Sequence, residues 1–204
     1  MMVEWVIGID QSYKRTGITI LKNKYIIDMI SVDYKVCNSN SEKRVTLRNI
    51  LEGIMSKYDI KNPLVLTERI RLRSQGFLSE AYIKSTGALV ATIIDFFYYC
   101  DEIPVYSVDT RFWKSQIVGS SKPLENKYGI DPKKYRTILY MKSRGFLKYI
   151  VEEYKGKGTK GVIQVKINGQ KVPCKVNDDL ADSYCIAMCG YLPKSKQKFK
   201  EEKF

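Results

Sequence analysis

The sequence predicts an α/β fold: a mixed five-stranded sheet whose first three strands are antiparallel, flanked by helices and carrying an added β-hairpin. Three observations point there. Val- and Ile-rich runs at 3–9, 17–21 and 25–32 follow one another with only short polar turns between them, as in an antiparallel meander. Two further apolar runs, PLVLTE at 63–68 and IPVYSV at 103–108, alternate with segments of helical period, the pattern of a sheet covered on both faces. Finally, VIQVKINGQKVPCKV at 162–176 reads as two strands folded about Asn168-Gly169, a dipeptide suited to a tight hairpin turn.

The elements follow in order. The first strand, VEWVIGI, runs into the polar stretch DQSYKRTG, and the second and third strands are joined across KNK. From 41 to 58, after Ser41, residues Val45, Leu47, Ile50, Leu51, Ile54, Met55 and Tyr58 keep helical spacing until Asn62-Pro63. The fourth strand ends on Glu68 and gives way to the arginine-rich RIRLRSQG. A long helix over 78–99 is apolar almost all round, with Ala81, Gly87, Ala88 and Ala91 as small packing surfaces, so it is either core or a subunit interface. The fifth strand leads to a helix through TRFWKSQIVG, and Asp131-Pro132 starts another over KKYRTILYMKSR. The last helix begins near Asn177 and ends before Pro193. One domain over 1–193 is expected, with 155–176 as a basic hairpin insertion and the Lys-rich 194–204 as a disordered tail.

Composition narrows the chemistry. The 204 residues carry 35 Lys and Arg against 22 Asp and Glu, a formal +13 that suits a polyanionic partner, nucleic acid first. This charge is spread along the chain; the last eleven residues supply five Lys less two Glu, only +3 of it. A solvated basic surface without a partner is the plainer alternative. There is no histidine, which removes Ser-His-Asp and Cys-His catalysis and most zinc sites. Five cysteines with no CxxC pair and no secretory leader fit reduced thiols of a cytoplasmic protein, and Cys185 and Cys189 fit core packing better than metal binding. The longest apolar stretch, GALVATIIDFFYYC, is too short to span a membrane and contains Asp95.

The acids stand out against this background. Asp10 and Glu68 each end an apolar strand, and adjacent strands would bring them to one sheet edge. In NDDLADSYCIA, Asp179 and Asp182 are spaced i,i+3 and Asp178 and Asp182 i,i+4, so either pair shares a helix face. Capping and the helix dipole account for an acid in the first turn, but less well for Asp182 beyond it. Four converging carboxylates without histidine repel one another unless hard cations sit among them. Mg²⁺ or Mn²⁺ prefers such ligands, and two ions held this way serve phosphodiester cleavage.

The order IGIDQSYKRTG, then VLTE, then NDDLADSYCIA resembles the RuvC-type Holliday-junction resolvases of the RNase H-like nuclease superfamily, in a bacteriophage version. The segments LSEAYIKSTGALVATII and WKSQIVGSSK are similar to the family's second helix and later basic segment. The resemblance implies an RNase H-like sheet and metal-dependent endonuclease activity on four-way junctions and other branched DNA. It implies a homodimer making paired cuts, with Asp10, Glu68, Asp179 and Asp182 as catalytic ligands of two Mg²⁺ per site. Mn²⁺ is the natural substitute, and Asp178 is a candidate further ligand beside Asp179. Three features depart from the family: Gln11-Ser12 stands where it has Pro-Gly, Arg71 where it has an aromatic, and the 155–176 hairpin has no counterpart.

The DNA contacts expected are Lys14, Arg71, Arg73, Lys114 and Lys122, acting mainly on phosphates. Tyr13 and Phe77 are candidates to stack on unpaired bases, and Lys155, Lys157, Lys160, Lys166, Lys171 and Lys175 make the hairpin a candidate DNA arm or a lysine-protected edge. No nucleotide cofactor is expected. The first turn also resembles the phosphate loop of actin- and sugar-kinase-type ATPases, but 204 residues leave little room for their duplicated fold. A non-catalytic binder of branched DNA is the other alternative.

Overall fold

The computed structural model describes residues 3–70, 80–99, 101–119, 137, 140, 150–151, 163–167, 170–176 and 178–202, with backbone alone for 81–82, 150–151, 163–167, 170–176 and 178. Strands β1 (Trp5–Gln11), β2 (Arg15–Lys22) and β3 (Tyr25–Asp33) form the expected meander. Asn23 and Lys24, both with positive φ (50° and 72°), make the two-residue turn between β2 and β3. Helix α1 (Asn40–Tyr58) starts at Ser39 rather than Ser41: the Ser39 hydroxyl accepts from Glu42 N at 3.1 Å, and the Glu42 carboxylate accepts from Asn38 N at 2.8 Å.

Strand β4 (Leu64–Glu68) runs parallel to β1, and β5 (Val105–Val108) parallel to β4. Between them, α2 (Glu80–Ile94) continues as one π-turn over Asp95–Tyr99, and α1 is pinned to it by Arg44 Nε donating to Thr92 Oγ1 at 3.0 Å and pairing with Asp95 at 3.2 Å. The segment read as core or interface is therefore largely core: Leu89, Ile93, Ile94, Phe96 and Phe97 are buried. Helix α3 (Thr110–Trp113) follows β5 and passes into a π-turn, Lys114–Val118. Beyond it, β6 (Ile150–Val151), β7 (Ile163–Ile167) and β8 (Gln170–Val176) form a separate antiparallel sheet. The expected hairpin is thus present, with Ile167 opposite Gln170 and a short third strand added. Of the helix expected after Pro132, only Thr137 and Tyr140 fall among the described residues.

Helix α4 (Asp178–Met188) and β9 (Phe199–Glu202) complete the chain. The main sheet has six strands in the order β3-β2-β1-β4-β5-β9, one more than expected. The extra strand corrects the reading of 194–204 as a disordered tail. Composition alone suggested disorder, but the open edge of β5 supplies partners: β9 pairs antiparallel with it, Ser107 Oγ donates to Glu202 at 2.5 Å, and the Phe199 ring lies 6.4 Å from that of Tyr106.

Side-chain alternation divides the core between the two faces of the sheet. Ile7, Ile9, Ile18, Ile20, Val65 and Val105 pack with α1 and α2. Val6, Leu66 and Val108 pack with α4, which is buried nearly all round. This close seat depends on two glycines. A Cβ on Gly8 would fall on the backbone at Ser183 and Ala187, and one on Gly17 on the backbone of Asp179 and Leu180, so any larger residue would push the helix off the sheet. The Thr19 and Ser183 hydroxyls, 2.7 Å apart, join strand and helix between these contacts.

Candidate active site

Asp10 stands next to last in β1, opposite Gly17, and is 8 % exposed. Two residues beyond Gly8, it shares the face on which α4 lies. Because β1 and β4 are parallel with Ile9 beside Thr67, the next residue on each strand, Asp10 and Glu68, stand level at the same sheet edge. This is the juxtaposition expected from the strand order. Asp179 reaches it from the other side: its backbone rests on Gly17, the partner of Asp10, and Asp182 follows one turn further along α4. Asp178 opens that helix, its side chain outside the described residues.

Glu68 and Asp179 are each held in place by neighbours. Glu68 Oε1 accepts from Thr110 Oγ1 at 2.6 Å and from Trp113 Nε1 at 3.4 Å, both on α3. That short helix is itself fixed by Asp109, whose Oδ1 accepts from Arg111 N at 2.9 Å. Arg15 Nε lies 2.9 Å from Asp179 Oδ2. Asp182, half-buried, adds its negative charge to burial in pushing the Cys185 thiol well above its ordinary range, while the Lys114 charge pulls the other way. Lys114 thus stands within electrostatic reach of α4, its ammonium 4.8 Å from the Trp113 ring.

The turn that departs from the resembled family has a local physical logic. Ser12 closes it, its hydroxyl donating to Arg15 O at 2.7 Å and accepting from Arg15 N at 3.2 Å. Gln11 points to the opposite face from Asp10 and is buried, its amide donating to Glu68 O at 2.6 Å and accepting from the Thr67 hydroxyl. It therefore clamps the ends of β1 and β4 from beneath, holding the two acid-bearing residues side by side. At the turn's tip, Tyr13 is 37 % exposed, with the ammonium groups of Lys14 and Lys43 at 5.4 and 5.7 Å from its ring centre.

Of the expected DNA contacts, Lys14 and Lys114 are placed around this edge, while Arg71, Arg73 and Lys122 lie outside the described residues, as do Phe77, Lys155, Lys157 and Lys160. For Lys166, Lys171 and Lys175 only the strand positions are described. Sequence reasoning did not single out Thr110, Trp113 or Lys43, and marked Gln11 only as a departure from the resembled family. The signal for the first two was their place one turn after a strand adjacent to Glu68.

In kind, the donor set suits a hard divalent cation: four carboxylates with neither nitrogen nor sulfur among them. In spacing, it is held apart. Among the described residues, no three His, Cys, Asp or Glu side chains gather so as to hold a metal ion together. Glu68 is drawn toward α3 by Thr110 and Trp113 and Asp179 toward β2 by Arg15, so each acid satisfies its charge on a protein donor. Cys185 and Cys189 are buried free thiols, as expected for core packing. No described helix is long and apolar enough to cross a membrane.

An antiparallel meander followed by two parallel strands, with helices on both faces and acids at the ends of the first and fourth strands, is the RNase H-like fold. No protein-family model matches the sequence, and neither does any curated protein. Among solved structures, the fold is that of RuvC from Thermus thermophilus. One RuvC structure aligns over 97 % of this chain and 99 % of its own with a TM-score of 0.58 and 13 % identity. Another, described as RuvC in complex with Holliday junction substrate, aligns over 92 % and 91 % with a TM-score of 0.57 and 14 % identity.

Proposed function

We propose that the chain is a metal-dependent endonuclease that resolves four-way DNA junctions, and cleaves other branched DNA, by paired phosphodiester hydrolysis. The observation that carries this reading is the meeting of Asp10, Glu68 and the acidic first turn of α4 on one face of an RNase H-like sheet. The net charge of +13 supports it, because a basic protein with one acidic edge suits a polyanionic substrate brought to a cation site.

In this reading Asp10, Glu68, Asp179 and Asp182 hold two Mg²⁺ ions, with Asp178 a further ligand. Bound there, the ions supply an activated water and stabilise the departing oxyanion. Thr110 and Trp113 orient the Glu68 carboxylate. Arg15, which pairs with Asp179, would be available to the scissile phosphate if that carboxylate turned to a metal ion. Lys14 and Lys114 hold the flanking backbone together with Arg71, Arg73 and Lys122, and Tyr13 offers its ring to an unpaired base at the branch point. Two copies associate through the 78–99 segment, on the surface around Ile83 and Tyr99 that α1 leaves exposed.

A labelled four-way junction, a linear duplex and ATP, each incubated with and without Mg²⁺, test this. Junction cleavage that needs the metal and disappears in Asp182→Asn while binding persists is expected; metal-independent cleavage or ATP turnover would overturn it. A second reading, a non-catalytic binder of branched DNA, draws on the Arg15–Asp179 pair and the separation of the acids. Binding without cleavage under any divalent cation would favour it.

A further inference from the structure

Next to the acids, at the ends of β4 and β5, is a cleft that the proposed hydrolysis does not use. It is a shallow cleft, open to solvent, of about 560 Å³, lined by Arg69, Asp109, Arg111, Phe112, Lys198 and Phe199 among others. The cleft begins one residue from the acid site on each wall: Arg69 follows Glu68, and Arg111 follows Thr110, the donor to Glu68. Phe112 and Phe199 are partly buried against the core on the α4 side, each leaving some ring surface toward the opening.

The opposite wall exists only because β9 is ordered. Pairing of Phe199 with Val108 brings Lys198 and Phe199 across from α3. The same strand steadies Arg69: its Nε donates to Ser107 Oγ at 3.2 Å, and that hydroxyl donates to Glu202 on β9. Three cations face one acid, a net +2, and the single acid, Asp109, already accepts from Arg111 N as the α3 cap. The volume lies within the range of roughly 300–1,000 Å³ that admits small-molecule-sized groups, room for roughly one or two nucleotides.

Cations next to two aromatic edges match the chemistry of a nucleic-acid strand, with phosphates for the first and unpaired bases for the second. We propose that this cleft binds a single strand of nucleic acid where it leaves the acid site, its phosphates on Arg69, Arg111 and Lys198 and a base against Phe112 and Phe199. The direction of the strand rests on the nuclease reading; the binding itself does not. A peptide rich in acids would use the cations but leave the rings idle.

Fluorescence anisotropy in EDTA, where no cutting occurs, tests the proposal with a short labelled oligothymidine and a labelled four-way junction. The variants are Arg111→Glu/Lys198→Glu, Phe199→Leu, and Lys57→Glu/Lys61→Glu, which makes the same charge change at the far end of β4. Circular dichroism melts confirm that each is folded. Relative to that control, Arg111→Glu/Lys198→Glu is expected to weaken oligothymidine binding at least about tenfold and to flatten the dependence of log affinity on log salt by about 1–2. Phe199→Leu is expected to weaken it several-fold with the salt slope unchanged. Equal binding by the cleft variants and the control overturns the cleft while leaving junction cleavage standing. Competition by polyglutamate as strong as by unlabelled oligothymidine also overturns the assignment. A wild-type chain that binds neither probe overturns both the cleft and the nuclease reading.

Discussion

Arg15 Nε and Asp179 Oδ2, 2.9 Å apart, tie the start of β2 to the first turn of α4 at the acidic edge of the sheet. The carboxylate is 15 % exposed and the arginine 38 %, so solvent screens the pair only in part. Arg15→Gln should cost about 1 kcal/mol or less of stability, read from urea melts at low salt. The same change frees Asp179, so Mg²⁺ binding measured by calorimetry should tighten. Unchanged Mg²⁺ affinity would show that the arginine does not compete for the acid.

Two glycines should respond to alanine in opposite ways. At Gly17 the added carbon meets the backbone of Asp179, which cannot swing aside as a side chain could. Gly17→Ala should destabilise by about 1–3 kcal/mol and displace the acidic turn, abolishing cleavage. Gly53, exposed within α1, has nothing within 4 Å of such a carbon. Gly53→Ala should stabilise by about 0.5–1 kcal/mol and leave cleavage unaltered. Denaturant midpoints of the two variants provide the comparison.

Thr110 donates the shorter of the two hydrogen bonds to Glu68, at 2.6 Å. Removing such an outer partner typically costs about 10–100-fold in metal affinity or activity, so Thr110→Val should weaken Mg²⁺ binding by that order. Thr110→Ser, which keeps the hydroxyl, should restore it. A variant whose metal isotherm matches the wild type would leave Thr110 with a purely structural part.

Burial pushes the Cys189 thiol up to about 12 and Cys185 well above its ordinary range. The unfolded chain then loses these protons at lower pH than the folded one. Their contribution to stability is complete below the ordinary thiol pKa of 9.0 and is lost as pH rises from there toward 12. Urea midpoints should therefore fall across that alkaline window, and less steeply in Cys189→Ala. Iodoacetamide at neutral pH, followed by peptide mass spectrometry, should modify the half-buried Cys37 in the native protein but Cys185 and Cys189 only after unfolding.

The acids at the ends of β1 and β4 were legible because strand period and strand order are local properties: Ile9 beside Thr67 carries Asp10 and Glu68 to one edge. The i,i+3 spacing of Asp179 and Asp182 was legible for the same reason. Nothing local announces that Gln11 is a clamp. Its amide is useful only because Thr67 and the Glu68 carbonyl lie beneath it, a pairing that exists once β1 and β4 are neighbours.

By itself, then, the sequence determined the meander, the alternating later elements, the late hairpin and the set of four carboxylates, since hydrophobic period and turn chemistry act over a few residues. Tertiary structure decided which donors hold Glu68 and Asp179. Arg15 meets Asp179 only because two glycines let α4 sit directly on the sheet. It also decided the fate of the terminus: a Lys-rich segment with little apolar surface has no reason to order alone, but the unpaired edge of β5 offers its backbone hydrogen bonds and Phe199 a ring to pack on. Contacts between distant segments depend on that assembled geometry, which no window of the sequence contains.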